Sequence, residues 1–591
     1  MRRVLSLPAH LVDALFVRSD ADPGKRGQGT SCQRDQSGKR RTAVARLPYC
    51  SSRRRPAQRP YDPAIAASQA GGSEGETWSI GRGLACQLGK SIAMLALTLL
   101  PAVPSGAADA PPPRVSASTW PAPRADAITG PHSFSKNLSG IFNGKKLIYR
   151  AVLEETILRD RQGRPASSIF STSFIAASAA ADRPVVFVFN GGPGGASNAL
   201  MFGALGPWRM TPFDSRAQAD PTAPVVGNQS TILDTADLVF YDPPETGFGR
   251  PLPGTDPKTF RSNDADSFAA AEFILHWLDT HRRRQSPVYL VGESYGTHRA
   301  VMLARDLRAA QPGLEVAGLY LISQGLTYNG PPDRSVQHLP DPLRTISHLE
   351  DAVPLAWYHG LIDNRSQTLD QALDAARDYA RTGYASAILR GNRLSPQERA
   401  AVAQKLAGLI GLPASYFLAN DLRVGNVRRD LLASRGLSLG QLDGRETEPA
   451  AGLVADANRD WDKMFSGLTA AMENFVGRTF GQTGLPAYRT IVPDPYGFED
   501  TWRYIEPPQP GLDVVLDEQL RANPKLRVVF AIGLYDTTSS MGGTEMLVDQ
   551  LHDAGGRVRL AYYSGGHMLY TDDKAMKALD SDIRNFVRST R

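Results

Sequence analysis

Val288-Tyr289-Leu290-Val291-Gly292-Glu293-Ser294-Tyr295-Gly296-Thr297 is the stretch on which the fold turns. An apolar run ends at Val291, a G-x-S-x-G pentapeptide follows, and a helical pattern opens near Thr297. In that pattern Ala300, Val301, Leu303, Ala304 and Leu307 share one apolar face. Strand, sharp turn and helix in this order are what a nucleophile elbow requires. The turn crowds the neighbours of the serine, so glycines belong where side chains would clash. Ser294 is left exposed at the C-terminal edge of a sheet, with a helix N-terminus beneath it to favour negative charge.

Working outward, short apolar runs recur at 185–189 (VVFVF), 238–241, 288–291, 319–322, 528–532 and 560–563. Helical segments such as 265–278 and 297–308 lie between them, so the runs read as buried parallel strands of an α/β fold. Between about 331 and 500 the strand signal fades. Segments 369–380 and 396–409 are helical in pattern, and Trp357 and Trp461 add bulk. The predicted organisation is a core in two parts, 140–330 and 501–591, separated by a mainly helical cap insertion, 331–500.

A serine hydroxyl needs a base, and the base needs an orienting carboxylate. In this fold class they follow in the order Ser, Asp or Glu, His. His567 lies in Ser564-Gly565-Gly566-His567-Met568, just after the run 560–563. Asp536 lies in Gly533-Leu534-Tyr535-Asp536, just after 528–532. Both therefore sit on loops at strand C-terminal ends, as Ser294 does. His552 reads as a helical surface residue, His298 as packing on the elbow helix, and His348 and His359 fall in the cap.

Asn190-Gly191-Gly192-Pro193-Gly194-Gly195 follows the run 185–189. One reading is a plain strand-to-loop turn, for which Gly-Pro is ordinary. The other is an oxyanion loop, with N–H groups near Gly192 joining that of Tyr295. A phosphate loop needs G-x-G-x-x-G or G-x-x-x-x-G-K-[ST], and the cluster matches neither. Neither H-E-x-x-H nor a Cys/His cluster occurs, so no metal or cofactor is expected.

Apolar residues make up 42% of the 591 and charged residues 21%, which is a globular balance. The net charge of +6 would suit a nucleic-acid binder, but residues 1–107 hold 16 of the 66 Lys and Arg and only 7 of the 60 Asp and Glu. The remainder is mildly acidic and lacks a basic stripe for phosphates, which argues against nucleic acid. All three cysteines (Cys32, Cys50, Cys86) also precede residue 107, so beyond it there is no disulfide or thiolate nucleophile.

Residues 1–80 are basic and of low complexity, rich in Arg, Ser, Gly and Pro. Segment 81–107 has the form of an export signal: Arg82 and Lys90, then the apolar core 92–100 (IAMLALTLL), then small residues up to Ala107. Two readings are open. Either the true start lies downstream of Met1 and residues 1–80 are never made, or a genuine tail precedes a membrane-anchoring helix. The first implies export to the periplasm or medium, without stable membrane insertion after cleavage. Residues 108–139, rich in Pro and Ala, read as a linker.

Four ordered motifs resemble the serine carboxypeptidases, peptidase family S10. They are Asn190-Gly191-Gly192-Pro193-Gly194, then Tyr241-Asp242-Pro243-Pro244-Glu245-Thr246-Gly247-Phe248, then Gly292-Glu293-Ser294-Tyr295-Gly296, then Asp536 with Gly566-His567-Met568. The resemblance runs from about 140 to 588 and is closest to the bacterial branch. It implies an α/β-hydrolase fold, a mostly parallel central sheet flanked by helices, with a helical cap. The implied activity is release of C-terminal amino acids from peptides, with Ser294, Asp536 and His567 catalytic and Gly192 and Tyr295 forming the oxyanion hole. By the same resemblance Asn190, Gly191 and Glu293 bind the substrate's terminal carboxylate. Glu293 can donate a hydrogen bond to that carboxylate only when protonated, which predicts a moderately acidic optimum.

The chain departs from the family pattern at three places. Ala204 stands where many eukaryotic members have a second glutamate, Val188 where a Trp is common, and Thr537-Thr538-Ser539-Ser540 where a Thr-Pro segment usually follows the aspartate. The first implies a simpler carboxylate site. The competing expectations are an esterase, acyltransferase or proline-iminopeptidase-like aminopeptidase on the same fold, and a non-catalytic peptide-binding protein.

Overall fold

The structure is a computed structural model. It describes residues 131–589, apart from 178–179, 212, 214–224, 315, 327–341, 451–458, 493–501, 504–510 and 552–554. The basic segment 1–80, the signal-like segment 81–107 and most of the linker lie outside the described residues, as does His552.

Nine strands form the main path of a ten-stranded sheet. In chain order they are β1 (Ser133–Phe142), β2 (Lys145–Arg159), β3 (Pro165–Ala176), β4 (Val185–Phe189), β5 (Asp237–Tyr241), β6 (Val288–Glu293), β7 (Val316–Ile322), β8 (Arg527–Gly533) and β9 (Val558–Tyr563). Across the sheet the order is β1-β2-β3-β5-β4-β6-β7-β8-β9. From β5 to β9 every pairing is parallel, while β1, β2 and β3 add an antiparallel flank. The crossover at β4 and β5, with helices on both faces, is the α/β-hydrolase arrangement.

The central strands are apolar between their ends because both faces are covered. In β4, Val185, Phe187 and Phe189 enter one core with helices α1 (Asn263–Thr280) and α2 (Tyr295–Ala310), while Val186 and Val188 enter the other. Val288 and Leu290 of β6 alternate with Tyr289 and Val291 in the same way, as the two-residue period of a strand requires. The Ser262 hydroxyl caps α1 by accepting from the Ala265 N–H, and Asp264 and Asp266 in its first turn suit the helix dipole.

The structure departs from the sequence reading at the start of the core. β1 begins at Ser133, inside the stretch read as linker, and pairs with β2 through ten residue pairs. The physical reason is alternation. Phe134 and Leu138 pack on the core between exposed polar neighbours, a pattern too diluted by Ser, Lys and Asn to read as an apolar run.

Between β7 and β8 lie α3 (Pro342–Tyr358), α4 (Leu369–Tyr379), α5 (Pro396–Ile410) and α6 (Arg459–Phe480), with the short hairpin Leu437–Leu439/Thr447–Pro449. Leu349, Val353, Leu373, Leu406, Ile410 and Phe417 form a cluster in this insertion that also takes in Ile532, Tyr535 and Met541, while Leu468, Met472 and Phe475 of α6 join a core of the sheet. After β7 and the insertion, α7 (Leu512–Ala522), α8 (Met541–Gln550) and α9 (Asp573–Ser589) complete the layers around the sheet.

Candidate active site

The register of the sheet brings the predicted residues to one edge. Phe189 pairs with Gly292, so Asn190 leaves β4 beside the end of β6. Glu293 pairs with Ile322, and the Ser294 N–H donates to the Ile322 carbonyl at 2.9 Å. Gly533 pairs with Tyr563, which places the loops bearing Asp536 and His567 next to each other.

Ser294 sits at φ 54°, ψ −124°, a conformation costly for a residue with a Cβ. Its neighbours explain how the turn is held. A Cβ on Gly292 would collide with the Gly296 carbonyl, and one on Gly296 would lie 2.6 Å from the Phe189 carbonyl. Ser294 is half-buried and opens the N-terminus of α2, while Glu293 before it is buried.

The glycine-rich loop packs directly on this elbow. A Cβ at Gly191 would lie 2.7 Å from Ser294 Cβ and 3.0 Å from the Tyr295 nitrogen, so only glycine allows the approach. Gly192 follows at φ +115°, again a glycine conformation. Tyr295 is the first residue of α2, at the positive end of its dipole. The loop is braced by the last part of the insertion, through Val492 N–H to the Gly194 carbonyl and Ala196 N–H to the Thr490 carbonyl, both 2.8 Å.

His567 Nδ1 lies 2.9 Å from Asp536 Oδ2. The second oxygen of Asp536 accepts from the Thr538 N–H (2.7 Å) and the Ser539 N–H (2.9 Å), which fixes the carboxylate plane. Burial alone would lower the pKa of His567, but the charge and hydrogen bond of Asp536, helped by Glu293, raise it. No hydrogen bond joins the Ser294 hydroxyl to the imidazole, whose described side-chain partners are Asp536 and Ser539.

Ser323 ties the end of β7 to the histidine loop. It follows β7, its hydroxyl donates to the His567 carbonyl at 2.7 Å, and its N–H donates to the Ala531 carbonyl at 2.9 Å. Ser539 Oγ donates to the Ser323 carbonyl (2.9 Å) and lies 3.3 Å from His567 Nδ1. From the insertion, the Leu442 carbonyl accepts the His567 N–H at 2.6 Å, and the carbonyls of Gly440 and Gln441 accept from Thr537. These partners escaped the sequence reading, although Ser539 lies in the Thr-Thr-Ser-Ser segment that departs from the family pattern.

Asn190 and Glu293 form a second, buried group beside the elbow. Asn190 Nδ2 donates to Glu293 Oε1 at 3.2 Å, and its Oδ1 accepts from the Leu200 N–H at 2.9 Å. Glu293 Oε2 is buried and has no hydrogen-bond partner. Burial raises the pKa of Glu293, against the opposing influence of His567, Tyr570 and Asn190. Tyr570, which the sequence reading passed over, places its hydroxyl 3.4 Å from Asn190 Nδ2.

Two further histidines are engaged elsewhere. His298 is buried, its pKa pushed down to about 4 by burial, and its Nε2 meets the Gly325 carbonyl. His359 Nε2 meets the Gly444 carbonyl at 2.7 Å within the insertion. Among the described residues no group of three or more His, Cys, Asp or Glu side chains is placed to hold a metal ion. Nor is any described helix long and apolar enough to cross a membrane.

Comparison with known proteins adds the following. The family profile described as serine carboxypeptidase (Peptidase_S10) matches residues 162–382, which include Asn190, Glu293 and Ser294. No curated protein sequence matches the chain. Among solved structures, it is similar to Kex1, a prohormone-processing carboxypeptidase from Saccharomyces cerevisiae. The identity is 14%, over 74% of this chain and 91% of that one, with a TM-score of 0.48. It is also similar to the peroxisomal α/β-hydrolase Lpx1 of the same yeast (9% identity, 78% and 90% covered, TM-score 0.31). An esterase from Exiguobacterium antarcticum gives 10% identity, 73% and 99% covered, and a TM-score of 0.31.

Proposed function

We propose that the chain is a serine carboxypeptidase, of the family whose profile matches residues 162–382, and that it releases C-terminal amino acids from peptides through an acyl-enzyme on Ser294. Ser294 Oγ attacks the last peptide carbonyl and gives its proton to His567 Nε2. Asp536 holds the imidazole with its proton on Nδ1 and stabilises the imidazolium that forms. The N–H groups of Gly192 and Tyr295 receive the oxyanion, each worth about 3 kcal/mol in the transition state. His567 then protonates the departing amino acid, and water hydrolyses the ester by the same steps in reverse.

The observation that carries the substrate class is the Asn190–Glu293 pair. Glu293 Oε1 already accepts from Asn190, so the proton of the neutral acid belongs on Oε2, the buried atom without a partner. Burial favours that neutral form. A neutral acid aimed beside the elbow suits a substrate carboxylate, which it can meet as a donor without charge repulsion. The Gly191 N–H belongs to the same reader. Export with cleavage after Ala107 is part of the proposal and rests on the sequence of residues 81–107.

Asn190→Ala tests the reading. For a peptide with a free C-terminus kcat/KM is expected to fall about 100-fold, the scale of a lost charge-assisted hydrogen bond in a buried site. A small ester without a carboxylate should lose no more than about threefold. Equal losses on the two substrates would remove the carboxylate role.

A further inference from the structure

Tyr570 lies three residues after His567, on the turn Leu569–Thr571, and is fully buried. Its ring occupies space that Gly203 leaves open, since a Cβ at 203 would collide with ring atoms Cδ2 and Cε2. Phe213 packs on the ring with centroids 5.5 Å apart. Gly203 itself stands in the π-turn Met201–Leu205, a local irregularity of a kind often found at functional sites.

This packing carries the hydroxyl to the Asn190–Glu293 pair, and among the described residues no other side-chain hydrogen bond to it is found. Asn190 Nδ2 approaches it at 3.4 Å, and it interacts with the Glu293 carboxyl. A phenol that accepts from an amide has one proton left to give, and the carboxyl is there to take it. Resting on the carboxylate reading above, we propose that Tyr570 is a positioning residue of that reader. Its hydroxyl holds the Asn190 amide and the Glu293 carboxyl so that Glu293 Oε2 is left for the substrate.

The proposal has an electrostatic signature that mere cavity filling lacks. Glu293 faces His567 and Asp536 from the loops after β9 and β8, Asn190 from the loop after β4, and Tyr570 from its turn. Burial raises the pKa of Glu293 and the Tyr570 hydrogen bond opposes that rise. Removing the hydroxyl lets burial act with less opposition, so Glu293 stays neutral to higher pH. The terminal carboxylate is then held more loosely but over a wider pH range.

The test is binding to the full-length Ser294→Ala protein, where no chemistry intervenes. A free-carboxylate peptide and its amidated twin are titrated by calorimetry across roughly pH 4.5 to 8. Adding Tyr570→Phe is expected to weaken the free peptide about three- to tenfold at the acid end and to reduce its preference over the twin. The fall of affinity with pH should move upward by about one unit. Gly203→Ala, which displaces the ring and keeps the hydroxyl, should shift both readouts in the same direction. With Glu293→Gln in place, Tyr570→Phe should produce no pH shift. Preference and pH dependence unmoved by both variants would leave Tyr570 a packing residue. Absence of any preference for the free peptide in Ser294→Ala alone would overturn the underlying reading, and the role of Tyr570 with it.

Discussion

Asp536→Asn is expected to lower kcat/KM for a free-carboxylate peptide by about 10⁴-fold with little change in KM. The size follows from how the side chain is held. The backbone N–H groups of Thr538 and Ser539 both point at Asp536 Oδ1, so an asparagine keeps its oxygen there and turns its NH₂ toward His567. A donor facing Nδ1 selects the tautomer with the proton on Nε2, which cannot accept the Ser294 proton. Ser539 moderates the loss. Its hydroxyl gives its proton to the Ser323 carbonyl and stands 3.3 Å from Nδ1, so it can accept Nδ1–H and preserve a minority of the productive tautomer. Steady-state kinetics decide the matter, and a loss below about tenfold would contradict the role given to Asp536.

Glu293→Gln should abolish most of the pH dependence of substrate binding. The sign is set by which form binds. A neutral Glu293 donates to the terminal carboxylate, whereas an ionised one repels it. Burial raises its pKa, partly offset by His567, Tyr570 and Asn190 and reinforced by Asp536, so the neutral form persists above the usual range for a glutamate. Affinity is present below that pKa and is lost as pH rises through it, approaching about tenfold per unit. Glutamine is neutral at every pH and keeps an N–H donor. Its KM for the free peptide should therefore stay flat where the wild-type value climbs. A wild-type KM that is already flat, or one that climbs equally in the variant, would remove Glu293 from carboxylate recognition.

The central strands were legible because burial on both faces keeps polar residues to their ends. Val185–Phe189 is the clearest case, with all five residues buried. The flank β1–β3 was not, since β2 mixes exposed positions (Lys145, Lys146, Ile148, Arg150 and Arg159) with buried ones. Asn190, Ser294, Asp536 and His567 could be picked out because each stands just beyond an apolar run, where the chain leaves the sheet. What holds them could not. Leu442 contributes a backbone carbonyl, Ser323 a hydroxyl directed at another carbonyl, and Tyr570 reaches its partners only through a gap at Gly203. Contacts of that kind depend on tertiary approach and leave no spacing to read.

The most direct measurement is mass spectrometry of a free peptide and its C-terminally amidated twin, incubated with the wild-type protein and with Ser294→Ala. Stepwise loss of C-terminal residues from the free peptide, absent from the twin and from the variant, is the predicted result. Cleavage indifferent to amidation, or release from the amino end, would contradict it.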